Sequence, residues 1–327
     1  MSVAAVNDLP PELTGGLTFH LPMEIVALQM AGASADVIAE RSRQRLSEAF
    51  ADGMIDPPLY RWAVRHYAPI ATALLGDDVT ARAAAFAQVV PLGDGLAGAA
   101  FHGLIRLGFG ALTGQVDEVA RGLAYLRTRR QVLASTGSLR DSALLVETSM
   151  PTVADLEGST VFDQLNLVAG ASSHLGFAPP QKELPTVASL CHGALALVRR
   201  NPSSFVSVHA LTGVHALCEV HRMVEGVAPA PHDSLDAHAM APWWRTYQWA
   251  LHACTVLVMD TPPQAIPAAH AEIDSFEALQ RAAVDTGETH DVKVVLAMRR
   301  LTEFGLLSLE TVLEVGTLKI AAAECAA

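Results

Sequence analysis

The chain has 327 residues and a formal charge of -12, with 51% hydrophobic and only 17% charged residues, enough apolar material for one large core or two fused ones. A hydrophobic content this high excludes a disordered chain. The acidic balance, with its basic residues scattered, excludes nucleic acid and an anionic membrane surface as partners.

Apolar residues recur at spacings of three and four, with no sustained alternation, so the expected class is all-α, about a dozen helices in one domain over 1–327. The segment GFAPPQKELP, 176–185, is the best candidate for a linker between two helical lobes. The opening MSVAAVNDLPPEL has no leader signature, and the longest apolar runs, such as WALHACTVLVM, fall short of a membrane span. Cys191, Cys218, Cys254 and Cys325 have no CxxC spacing, and three of them lie in apolar helical runs, which suits reduced thiols. A soluble cytoplasmic protein is expected.

In chain order, the loop TGGLTFHL leads into a helix with Pro22 in its first turn, which leaves His20 at the helix mouth, free of helical constraint. DPP precedes a helix over 59–75. In AAFHGLIRLGFGAL, His102 shares a face with Ile105, Phe109 and Leu112, and Arg106 comes one turn on; glycines 103, 108 and 110 permit close approach of a neighbouring helix. ASTGS breaks a helix over 116–133 from the next segment of chain. In SSFVSVHALTGVHALCEVHRMV, His209 lies with Phe205, Val206, Gly213, Ala216 and Val220, whereas His215 faces Glu219 and Arg222. WWRTYQWALHACTV carries a polar stripe of Arg245, Gln248, His252 and Thr255 that could line a cavity, and TPPQAIP ends this helix. Finally, ETHDVKVVLAMRRL directs His290 and Lys293 to the face of Val294, Ala297 and Leu301, opposite Arg299.

Lys293 is one of only three lysines, with Lys182 and Lys319, in a chain with 13 histidines. Any one of these histidines alone is more simply a hydrogen-bonded core residue, and a lone lysine more simply snorkels to water. Several imidazoles aimed into one interior are different, since each unpaired buried polar group costs about 1–3 kcal/mol and one metal ion satisfies them together. An ammonium has no lone pair, so Lys293 would have to be neutral, displaced or chemically changed; carboxylation by carbon dioxide would make it an anionic oxygen donor.

The stretches TFHLPMEIVALQMAGAS, FHGLIRLGFGAL, FVSVHALTGVHAL and THDVKVVLAMRRL, in that order, resemble the successive signatures of the questin oxidase-like family, over about residues 15–305. The first has Phe19 where the family usually has Asn before the histidine. The resemblance implies an all-helical oxygenase that attacks anthraquinone-type polycyclic aromatics by oxygen insertion or ring cleavage. It also implies iron held by His20, His102, His209, His290 and a carboxylated Lys293, with His215 and His252 in reserve. Fe(II) suits such ligands, and zinc and manganese are the alternatives. The partners would be dioxygen and a small hydrophobic aromatic. Arg106 or Arg245 would stabilise a substrate anion, His252 would assist from the polar stripe, and Trp243, Trp244 and Trp249 would stack on the flat ring if they are not core. There is no GxGxxG or Walker-type loop, so NADPH would enter only as a co-substrate. The rival readings are a non-catalytic helical binding protein for a hydrophobic small molecule and a zinc hydrolase or lyase using the same histidine cage.

Overall fold

The computed structural model describes residues 3, 6–14, 17–133, 161–174, 186–225, 239–263 and 273–324. Among these stand thirteen α-helices: α1 Leu21–Met30, α2 Ala35–Asp52, α3 Tyr60–Leu75, α4 Val79–Val89, α5 His102–Thr113, α6 Val116–Thr128, α7 Val161–His174, α8 Val187–Arg200, α9 Phe205–Glu225, α10 Ala241–Asp260, α11 Phe276–Asp285, α12 Thr289–Glu303 and α13 Leu309–Glu324. The all-α class read from periodicity is the observed one. The expected linker at 176–185 lies outside the described residues, as does the break at ASTGS.

Local chemistry sets several helix starts. Pro22 occupies the first turn of α1, and the side chains of Ser34, Asp78, Thr186 and Ser275 accept backbone N–H groups at the starts of α2, α4, α8 and α11. One antiparallel pairing, β1 Glu12–Leu13 with β2 Met54–Ile55, ties the segment before α1 to the α2–α3 connection. Strands of two residues are too short to show alternation, so the sequence pattern does not announce them.

Helix α9 is the hub, packing against α3, α4, α5, α8, α10 and α12. Its approach to α5 depends on Gly108, where a Cβ would stand 2.4 Å from the Ala216 Cα. Gly110 plays the same part toward α6, since a Cβ there would meet the Val119 nitrogen at 2.6 Å. The glycines of FHGLIRLGFGAL therefore forgo helix propensity to let α5 sit against two neighbours at backbone contact. Helices α1, α5, α9 and α12 close into a ring, because α1 touches α5 and α12 and α9 touches the same two. No described helix is long and apolar enough to cross a membrane.

Candidate metal centre

Each helix of that ring contributes at its N-terminal end. His20 is the residue before α1; its side chain makes no capping bond and is free to turn inward. His102 opens α5, His209 lies in the second turn of α9, and His290 comes after Thr289 at the start of α12. His102 is delivered by an unusual backbone: Ala99, Ala100 and Phe101 have φ of 48°, 53° and 66°, three successive non-glycine residues in the left-handed region. Each such residue costs roughly 1–2 kcal/mol, which the surrounding packing must offset.

The four imidazoles meet. His20 Nε2 lies 2.6 Å from His102 Nε2, and His102 Nε2 lies 3.1 Å from His209 Nε2. The His290 ring stands beside this triad, its centroid 5.0 Å from that of His20 and 5.2 Å from that of His209. Phe205 covers the group, stacked on His209 at 3.8 Å. Lys293 is also there: it is 1% exposed, and its ammonium weighs on all four imidazoles. Among the described residues no carboxylate forms an ion pair with it. Lys293 is buried on the inward face read from the helix period and does not snorkel to water.

Burial, then the Lys293 charge, pushes His102 down to about 3 and His290 to about 4. Burial also lowers His20, with Lys293 next, and His209, with His102 next. Burial brings the Lys293 amine down to about 8, against the pull of Glu24 and Glu288. The imidazoles are therefore neutral at pH 7, with one proton each.

The outer partners decide where that proton sits. His102 Nδ1 lies 2.5 Å from the Ala99 carbonyl, His209 Nδ1 lies 2.8 Å from the Phe205 carbonyl, and His290 Nδ1 lies 3.2 Å from a Glu288 carboxylate oxygen. Carbonyl and carboxylate oxygens only accept, so Nδ1 carries the proton in all three rings and Nε2 is a bare lone pair. His102 and His209 thus point two lone pairs at each other across 3.1 Å. One proton on His20 Nε2 would answer the lone pair of His102 but not that of His209. His290 Nε2 is buried without a partner at all.

This donor set fits a metal ion. Two nitrogens bound about 2.1 Å from one metal lie roughly 3–3.4 Å apart, close to the His102–His209 separation. His20, His102 and His209 offer ligand nitrogens all within 4.8 Å of one another. The Nδ1 contacts to carbonyl and carboxylate oxygens are the outer-shell partners that orient metal-bound imidazoles.

The group opens to solvent through a cleft of about 210 Å³ between α1, α2 and the start of α12, with His20 and His290 in its wall. Leu13, Phe19 and Leu21 supply apolar surface; Glu48, Asp52 and Glu288 outnumber Arg45 among its charges. Deeper in, Glu24 accepts hydrogen bonds from Thr289 Oγ1 at 2.7 Å and Arg45 Nε at 3.3 Å.

Of the five sequence-derived ligand candidates, His20, His102 and His209 bring their ligand nitrogens together, the His290 ring stands beside them, and Lys293 is buried three residues further along α12. Other candidates do not. Arg106 is not free for a substrate anion, because Glu118 takes its Nε and a terminal nitrogen at 3.0 and 2.9 Å and the Tyr60 hydroxyl takes the third at 3.4 Å. Arg245 is exposed on α10, and neither it nor His252, stacked on Trp249 at 5.5 Å, lines the histidine cleft. Trp243 and Trp244 are fully buried, with Trp243 Nε1 donating to the Val90 carbonyl at 3.0 Å, so they are core and not a stacking platform. His215 lies 3.5 Å from Glu219, apart from the group. Phe205, read from the sequence as sharing the His209 face, does stack on it, whereas sequence reasoning missed Glu288 as a neighbour of the site, although an acid two residues before His290 is visible in ETHDVK. It also missed the left-handed turn before His102, for which Ala-Ala-Phe gives no cue.

No protein-family model matches the chain, and no curated protein matches it in sequence.

Proposed function

We propose that the protein is a non-haem, iron-dependent oxygenase of the questin oxidase-like kind, acting on a polycyclic aromatic or quinone-type substrate by oxygen insertion or ring cleavage. The observation that carries the metal is the pair of Nε2 lone pairs of His102 and His209, 3.1 Å apart with both Nδ1 protons committed elsewhere. The reaction class rests on the resemblance of the four motifs, and the grouping of His20, His102 and His209 supports it.

His20, His102, His209 and His290 would hold the ion, and Lys293 would complete the set once its neutral amine has added to carbon dioxide. The amine nitrogen bonds to the carbon, its proton leaves to water, and the product carbamate is an anion among neutral imidazoles. When bound, Fe(II) supplies the capacity to activate dioxygen and to polarise a substrate oxygen. The chain's own residues do the rest. Ala99, Phe205 and Glu288 hold three rings in one tautomer; Phe19, Leu13 and Leu21 offer apolar wall to a flat ring system; and Phe205 shields the imidazoles from water.

The decisive measurements are metal content and oxygen uptake. Purified or reconstituted protein should hold about one equivalent of iron and consume oxygen with a hydroxyanthraquinone. Folded protein that takes up no metal would overturn the metal centre and leave the helical binding-protein reading. Metal-loaded protein with turnover unchanged in the absence of oxygen would overturn the oxygenase and leave the zinc hydrolase or lyase. Lys293→Ala should lose the metal with the fold retained, and reconstitution should be better in bicarbonate than in carbon-dioxide-depleted buffer.

A further inference from the structure

Helix α9 leads from the histidines to a second cleft. Glu219 lies ten residues beyond His209, about 15 Å along the axis. There a cleft of about 240 Å³ opens between the end of α3, α4, α5 and α9, walled by Leu74, Leu112 and Met223 and carrying Arg82, Arg222 and Glu219.

Arg82 is out of place in ordinary packing. It is half-buried and its Nε is shielded from solvent with no hydrogen-bond partner. Among the described residues no carboxylate pairs with its guanidinium, and it does not cap the carbonyls at the end of α3. The other shielded arginines have a partner at one nitrogen or more: Arg106 has Glu118, Arg121 has Asp8 although its own Nε has none, Arg129 has Glu12, and Arg200 has the Met259 and Thr261 carbonyls. In a chain with 34 acidic and 22 basic residues, a guanidinium at a cavity wall with its Nε shielded and unpaired is a costly arrangement. Its neighbour Arg222 is only loosely held, 3.8 Å from a Glu219 oxygen. Glu219 is engaged elsewhere, taking Arg300 Nε at 2.7 Å with His215 at 3.5 Å.

We propose that this cleft binds an amphipathic monocarboxylate. The head would lie between Arg82 and Arg222, where a planar guanidinium matches a carboxylate with two parallel hydrogen bonds. The apolar body would lie on Leu74, Leu112 and Met223. Arg82 and Arg222 make this wall positive, because Glu219 is taken up by Arg300, and that suits an anionic head. The site is independent of the histidine centre and of any activity there.

Calorimetric titration with octanoate, with octanol and inorganic phosphate as comparators, tests this. Octanoate should bind with one equivalent, to metal-loaded and chelator-treated protein alike. Octanol and phosphate should bind at least ten-fold more weakly. Arg82→Gln should weaken octanoate at least ten-fold and Arg222→Gln by a smaller factor, while Arg245→Gln, at an exposed position of α10 away from this cleft, should leave it unchanged. Should Arg82→Gln fail to fold, Leu112→Trp, which fills the cleft, should abolish binding instead. No saturable octanoate binding, equal binding of octanol or phosphate, or full affinity in both Arg82→Gln and Leu112→Trp would overturn the proposal.

Discussion

One turn of α5 separates His102 from Arg106, and the two illustrate opposite fates for polar groups on an apolar helix. Arg106 is 3% exposed and fully answered by Glu118 and Tyr60. His102 is 4% exposed, and its Nε2 faces two other imidazole nitrogens. The first group is a staple between α5 and α6; the second has unspent coordinating capacity. Buried polarity alone does not mark a site. Lone pairs directed at one another do, because nothing within the protein resolves them.

Substitutions on the two sides of that comparison should separate by what they change. The largest effect belongs to the histidines: His209→Ala should reduce bound metal from about one equivalent to under a tenth, read by elemental analysis, with helicity retained. Metal kept in full by that variant would refute the assignment. Next, Glu118→Gln should leave the metal in place but cost about 3–5 kcal/mol in urea unfolding, since it strands the buried Arg106 charge.

A smaller, pH-dependent effect concerns Glu219. Burial alone would raise its carboxyl, but the contacts with His215 and Arg300 outweigh it and hold the group below its ordinary value. A depressed carboxyl contributes stability that is complete above the ordinary range, about pH 4.3, and is lost as pH falls through the lower folded value. Urea midpoints measured downward from about pH 5 should therefore fall less steeply in Glu219→Gln than in the parent. The smallest effect is a gain: Ala99→Gly should raise stability by about 0.5–1 kcal/mol, as relief of the left-handed strain exceeds the added chain entropy. Urea unfolding at neutral pH would read it.

The helices and the inward faces of His102, His209, His290 and Lys293 were legible because a period of 3.6 residues assigns faces without knowledge of neighbours. His20 was legible through Pro22, which fixes where α1 begins and leaves the histidine outside it. What each inward group would meet was not legible. Glu118 lies 12 residues from Arg106 and Tyr60 lies 46 away, so the capture of that guanidinium is a tertiary event that periodicity cannot report. The same holds for Trp243 and Trp244, whose burial depends on how α10 docks.

The ligand candidates are widely spaced along the chain: His20 and His102 are 82 residues apart, and His102 and His209 are 107 apart. An ion joining them would act as a cross-link that closes most of the polypeptide into loops, and the entropy of such closure rises only slowly with loop length. Loading the centre should thus convert a fold held by side-chain burial into one that comes apart only when coordination bonds break. Chelators should then accelerate unfolding, and protease resistance should track occupancy.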